Sequence, residues 1–341
     1  MENATSETTA DEVRNIGVAS ATAREITNVG VLDLSGMEAP ESLDGVRRIT
    51  NVGVILVPQP LLPKLSSIPM TNVGTMIPIP SGARLKTFTG DTILSGDALE
   101  NPDGDANDVL VVTGNLAITS PVTKVGYGHF VATGRVIAPE GSEAALGAGI
   151  THMTGDLVYY PYTEGTAVRV RSGFQQLGGR DLANPAGQET DILLVIGTLA
   201  VSGPIEGLGY QHLVVVGTLV APPGSEDILA GRVTTLGGQV VYSAARPRAF
   251  NGRDQFARAF FEYLDEPILL ILNGRYTFED DVTPDVLKQK VGGIILNGRI
   301  TAPRAAVSMV QALTLAKSGR IDASEDEHDS DRDRSRDRDR E

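Results

Sequence analysis

The chain contains no cysteine and no tryptophan, and Phe 8 and Tyr 8 are its whole aromatic complement. Without cysteine there is no disulfide framework, no thiolate metal cluster and no thiol nucleophile. Positive charge is also scarce. Lys and Arg total 29 against 43 Asp and Glu, a formal net charge of −14 over 341 residues. That balance disfavours a nucleic-acid groove or an anionic membrane surface as the main partner. No segment approaches the roughly 18 consecutive apolar residues that a membrane span requires. The opening stretch, MENATSETTADEVRN, is polar and acidic and lacks the basic-then-apolar order of a secretory signal. A soluble cytoplasmic protein is therefore expected.

What the chain does have is glycine, 38 residues of it, set in a repeating context. A glycine flanked by apolar or small polar residues recurs as TNVG at Gly30, Gly53 and Gly74. It continues at Gly114, Gly134, Gly155, Gly197, Gly217, Gly238, Gly274, Gly298 and Gly319, with most spacings between 18 and 24 residues. A longer period overlies this one. Asn101 to Pro161 aligns without gaps on Asn184 to Ala244, with 25 of 61 positions identical and an offset of 83. Four short units fit in that length, which reads as duplication of a four-coil block.

A unit of about 20 residues cannot bury its own apolar face, whereas stacked units share one continuous core. Runs such as VLVVTGNLAI, Val109 to Ile118, are rich in β-branched residues and are expected to change phase at the glycine. Glycine permits a corner and close stacking of backbones there. The expected fold is mainly β: a β-solenoid over 16–321, with a flexible N-terminal segment over 1–15. Gly114, Gly134, Gly155, Gly197, Gly217, Gly238, Gly274 and Gly298 are its repeat corners. A leucine-rich-repeat arc is the alternative fold, but its L-x-x-L-x-L-x-x-N ladder is not cleanly written here.

Helical patterns decorate the repeats. Phe256, Phe260 and Leu264 stand at i, i+4 and i+8 and predict an amphipathic helix over 254–265. Val307, Val310 and Leu313 predict a second over 304–317, stopping near Gly319. From Asp322 to the end the sequence is acidic and then alternates Asp with Arg, with no apolar run. A disordered charged tail over 322–341 is expected.

Candidate chemistry is sparse. In NPDGDAND, Asp103, Asp105 and Asn107 alternate like the first ligands of an EF-hand loop. The sixth and twelfth positions are Asp108 and Gly114 instead of Gly and Glu. The duplicate, NPAGQETD, keeps the turn formers and loses those ligands, so no metal site is assigned. Tyr127 with His129, and Tyr210 with His212, repeat as G-Y-x-H, a pattern read as packing or hydrogen bonding in preference to general-base chemistry. Neither a phosphate-binding glycine loop nor the hexapeptide ladder of acyltransferases is present. No catalytic residue and no cofactor is expected. The candidate interaction residues are Phe256, Phe260, Phe261 and Tyr263, four of the chain's aromatics within eight positions.

A glycine-cornered β-solenoid between polar tails resembles the bacterial bactofilin-type scaffolds, at the level of architecture over about 16–321. The resemblance implies a cytoplasmic, non-enzymatic structural protein that polymerises end to end, and it carries over no individual residue. The expected function is a structural or scaffolding solenoid that associates with itself, a dimer being favoured, or with another protein. No nucleic acid is expected as a partner. The alternatives are a monomeric protein-binding module and an enzyme with a site between coils.

Overall fold

The computed structural model describes residues 14–15, 24–37 and 39–324. The protein is mainly β, and the strand pairings among the described residues are parallel. It divides into two compact units, 1–164 and 165–341, each holding two sheets.

In the first unit, one sheet is β1 (Arg14–Asn15), β2 (Arg24–Asp33), β3 (Val46–Pro58) and β4 (Met70–Ile79). The other is β5 (Arg84–Leu94), β6 (Asp108–Ile118), β7 (His129–Pro139) and β8 (Ile150–Tyr160). In the second unit, β9 (Val168–Gly178), β10 (Ile192–Ser202) and β11 (His212–Ala221) form a sheet closed by the short strands β12 (Val233–Thr235) and β13 (Gln239–Tyr242). The last sheet is β14 (Arg246–Phe256), β15 (Ile268–Phe278), β16 (Val291–Ala302) and β17 (Thr314–Ala323). The connections carry short helices: α1 (Leu62–Ser66), α2 (Gly96–Glu100), α3 (Glu143–Gly149), α4 (Glu226–Leu229), α5 (Arg258–Glu262), α6 (Pro284–Lys290) and α7 (Arg304–Leu313).

Strands neighbouring in sequence pair with their glycines in register. Gly90, Gly114, Gly134 and Gly155 form one column, and Gly252, Gly274, Gly298 and Gly319 another. Gly173, Gly197 and Gly217 form a third, with Gly238 stacked against Gly217. At Gly114 the backbone has φ +117, a region that a side chain would strain, and the carbonyl of Gly90 fills the place of a β-carbon.

The strands run straight through these glycines with no change of phase. Leu110, Val112, Leu116 and Ile118 all enter one core with Phe130, Val136, Leu99 of α2 and Leu146 of α3. Period two therefore continues across Gly114. The apparent phase change in the sequence arises because the opposite face is apolar as well. Val109 and Val111 pack on Val31, Val54, Leu56, Ile77 and Ile79 of the first sheet. The second unit repeats this layering. Leu193, Val195, Leu199 and Val201 face one core, while Ala200 and Val220 meet Leu269, Ile271 and Ile295 of the last sheet.

The first sheet turns differently. Its left-handed residues are Asn28, Asn51 and Asn72, with φ 58, 55 and 54. Asn tolerates this region, and here its side chain gains a partner. The Asn51 amide donates to Asn28 Oδ1 at 3.0 Å, and the Asn72 amide to Asn51 Oδ1 at 2.7 Å. Here the core residues do shift phase, at Ile49, Val52, Ile55 and Val57.

Three boundaries correct the sequence reading. The helix expected over 254–265 is only α5, because Asp254 to Phe256 complete β14 opposite Tyr276 to Phe278. The helix expected over 304–317 ends at Leu313. Gly319 pairs with Gly298, which draws Thr314 to Lys317 into β17. Asp322 and Ala323, expected in a disordered tail, pair with Thr301 and Ala302, and Asp322 also binds Arg299 at 2.6 Å. The rest of that tail lies outside the described residues. At the other end, residues 1–13 of the expected flexible segment also lie outside them, while Arg14 and Asn15 pair with Leu32 and Asp33.

Candidate functional site

The four aromatics read as an interaction surface do not form one. Phe256 and Phe261 are buried, and Phe260 packs against the same core with Phe250, Tyr276 and Phe278. The Phe256 ring lies 5.0 Å from Phe250, 4.7 Å from Phe260 and 5.9 Å from Tyr276, typical of a packed aromatic cluster. Tyr263 alone is exposed, at 88%. The physical reason is the strand end: Phe256 points inward as the last core residue of β14, and the single turn of α5 folds Phe260 and Phe261 over it.

The aspartate-rich loop is an ion-paired turn. Arg84 on β5 binds Asp108 at 2.6 Å and Asp105 at 3.1 Å. Asp108 also accepts from the Asn101 amide at 3.0 Å. Arg84 holds the Asp108 carboxyl low, at about 2. The duplicate rebuilds the turn from a different arginine: Arg169 on β9 and the Asn184 amide both bind Asp191. Burial pushes the Asp191 carboxyl up, but hydrogen bonds from the Gln188 backbone, Asn184 and Arg169 outweigh it and leave it low. Among the described residues, no three His, Asp or Glu side chains are placed to hold a metal.

His129 and His212 each open a strand, opposite Val109 and Ile192 respectively. Tyr210 is buried in the core beside β10 and β11, and that burial raises its phenol pKa. No nucleophile–base pair is assembled around either histidine among the described contacts.

Two features escaped the sequence reading. The first is a pattern of charge on edge strands. In each of the four sheets the first strand carries a basic residue in a column that the next strand fills with a core residue. Lys86 stands opposite Leu110, Arg169 and Arg171 opposite Leu193 and Val195, and Arg248 opposite Leu270. In the first sheet β1 puts Arg14 opposite Leu32, and the next strand, β2, has Ile26, Val29 and Leu32 in the columns of Ile49, Val52 and Ile55. The last strand, β17, puts Lys317 opposite Leu296.

The second is a groove of about 610 Å³ in the second unit, where the ends of β10 and β11 meet the start of β14. Its walls include Val201, Pro204, Ile205, Pro222 and Pro247, with Ser243 and Arg246 at its polar side. Arg246 also lines two adjoining recesses, both beside Glu266 and one of them beside Asp265 as well. This volume, mostly apolar with few polar groups, suits a small ligand.

No family model, curated protein or solved structure matches this chain.

Proposed function

We propose that the chain is a non-enzymatic β-solenoid, structural or scaffolding in role, that pairs with a second copy through its N-terminal strands. Successive parallel strands with glycines in register support a solenoid reading, since each coil buries its face against the next. Parallel stacks leave edge strands with free backbone groups, and natural proteins close such edges with inward-pointing charge. Lys86, Arg169, Arg171 and Arg248 place exposed charge in core columns at such edges, and Lys317 does so at β17.

The observation that carries the proposal is the shortness of β1, which among the described residues pairs only with Leu32 and Asp33 of β2. The outer edge of β2 from Glu25 to Val31 therefore has no described strand paired to it, while its Ile26, Val29 and Leu32 lie buried in the core of the sheet. An edge of this kind pairs with its like in a closed, head-to-head dimer, in preference to the end-to-end polymer of bactofilin-type scaffolds. No described helix is long and apolar enough to cross a membrane.

Sedimentation velocity over a concentration series tests the reading. The full chain should dimerise, and deleting residues 1–26, which removes the N-terminal edge, should change the oligomeric state without unfolding the remaining coils. A full chain that is monomeric at every concentration overturns the proposal.

A further inference from the structure

The duplicated block contains its own control for the groove. Tyr160 and Ser243 occupy the same place in the two copies: Ala138 pairs with Tyr159 just before the first, and Ala221 with Tyr242 just before the second. In the first copy the Tyr160 ring is fully buried, and its hydroxyl donates to the Ile118 carbonyl at 2.7 Å. Burial pushes the phenol's pKa far up, so the hydroxyl keeps its proton. In the second copy Ser243 is too short to follow, and its Oγ accepts from the Ala245 amide at 3.2 Å. The groove opens there. Val201, Pro204, Ile205, Pro222 and Ser225 of its lining are the counterparts of Ile118, Pro121, Val122, Pro139 and Ser142 in the first copy.

One charge stands on this lining. Arg84 and Arg169, on the first strands of the preceding sheets, are neutralised by Asp108 and Asp191. Arg246 faces Ile268 across its ladder and makes no ion pair among the described residues. Among the described residues it is the only charged one lining the groove.

We propose that this groove binds a small hydroxyaryl carboxylate. The ring takes the place that Tyr160 fills in the other copy. The phenol hydroxyl donates to the Val201 carbonyl, the counterpart of Ile118. The carboxylate pairs with Arg246, whose planar guanidinium matches it in two parallel hydrogen bonds. The apolar walls of Pro204, Ile205 and Pro222 supply the hydrophobic part of the recognition. This site is independent of the association through β2, and either can fail alone.

Titration calorimetry with 3-(4-hydroxyphenyl)propionate on the full chain tests it. The expected result is saturable binding at one site per chain. Ser243→Tyr rebuilds the ring of the first copy and should abolish binding while leaving the protein folded and at least as stable to heat. Arg246→Gln should weaken this probe by about tenfold or more, as loss of a charge-assisted hydrogen bond does. The same variant should leave 4-ethylphenol, which has no carboxylate, unchanged. 3-Phenylpropionate, which lacks the hydroxyl, should bind the wild type more weakly than the probe. Absence of saturable binding to the wild type at millimolar probe, or equal binding by folded Ser243→Tyr, overturns the proposal.

Discussion

A β-carbon on Gly53 would lie 2.6 Å from the carbonyl oxygen of Gly30, whereas one on Gly30 would meet nothing within 4 Å among the described residues. Neither glycine has a positive φ, so the difference between them is steric alone. Gly30→Ala should leave stability within about 0.5 kcal/mol, and Gly53→Ala should cost about 2 kcal/mol, since backbone must shift to admit the methyl. Gly134→Ala should cost more than either, because it adds a strained φ of +130 to the same kind of clash with Gly114. Urea denaturation of the three variants checks the order, and an equal cost for Gly30→Ala and Gly53→Ala would contradict it.

The Asp108 carboxyl, held by Arg84 at about 2, titrates below its unfolded value of roughly 3.9. A group depressed on folding contributes its stability in full above the unfolded pKa and loses it as the pH falls through the folded one. The melting temperature of the wild type should therefore exceed that of Asp108→Asn by a constant margin at neutral pH. The margin should shrink between about pH 4 and 2. A margin that does not change over that window would show that the ion pair does not couple to folding.

Tyr160→Phe removes only the hydroxyl that meets the Ile118 carbonyl, in a fully buried place. A lost buried hydrogen bond costs about 1–3 kcal/mol when its partner is left unpaired. Thermal or chemical unfolding of the variant should show a loss in that range, and no loss would mean that the carbonyl finds another donor.

Truncation should distinguish the two ends proposed for the last strand. A chain ending at Ser324 keeps the Asp322 contact to Arg299 and the bond from the Ser324 amide to the Ala302 carbonyl, and should unfold within about 0.5 kcal/mol of the full chain. A chain ending at Ile321 loses both and should be measurably less stable. Equal stabilities would return Asp322 and Ala323 to the tail.

The mainly β character was legible because β-branched runs recur on both sides of the glycines, and the recurring spacing is what brings those glycines into common columns. Gly173 and Gly252 were overlooked, although Asn251-Gly252-Arg253 repeats the triplets at Asn273 and Asn297. That omission created the false helix. With no strand placed before Phe256, its spacing to Phe260 and Leu264 imitates one helical face. The groove was not legible, since Tyr160 against Ser243 is one mismatch among many until the space around each is seen. The basic first strands were hidden for a related reason: charge in a core column has meaning only once it is known which strands lie at an edge.

Strand order following chain order has a kinetic consequence. Gly90 and Gly114 are 24 residues apart, and Gly114 and Gly134 are 20. Partners so near one another in a chain of 341 residues give a relative contact order in the range of helical bundles, far below that of β-sandwiches. Each rung can close a short loop onto the one before it, so the sheets can grow by zippering from any formed pair. A disrupted rung should then delay or fray its own neighbourhood while distant rungs still assemble, a behaviour closer to that of a helix propagating than to that of most all-β domains.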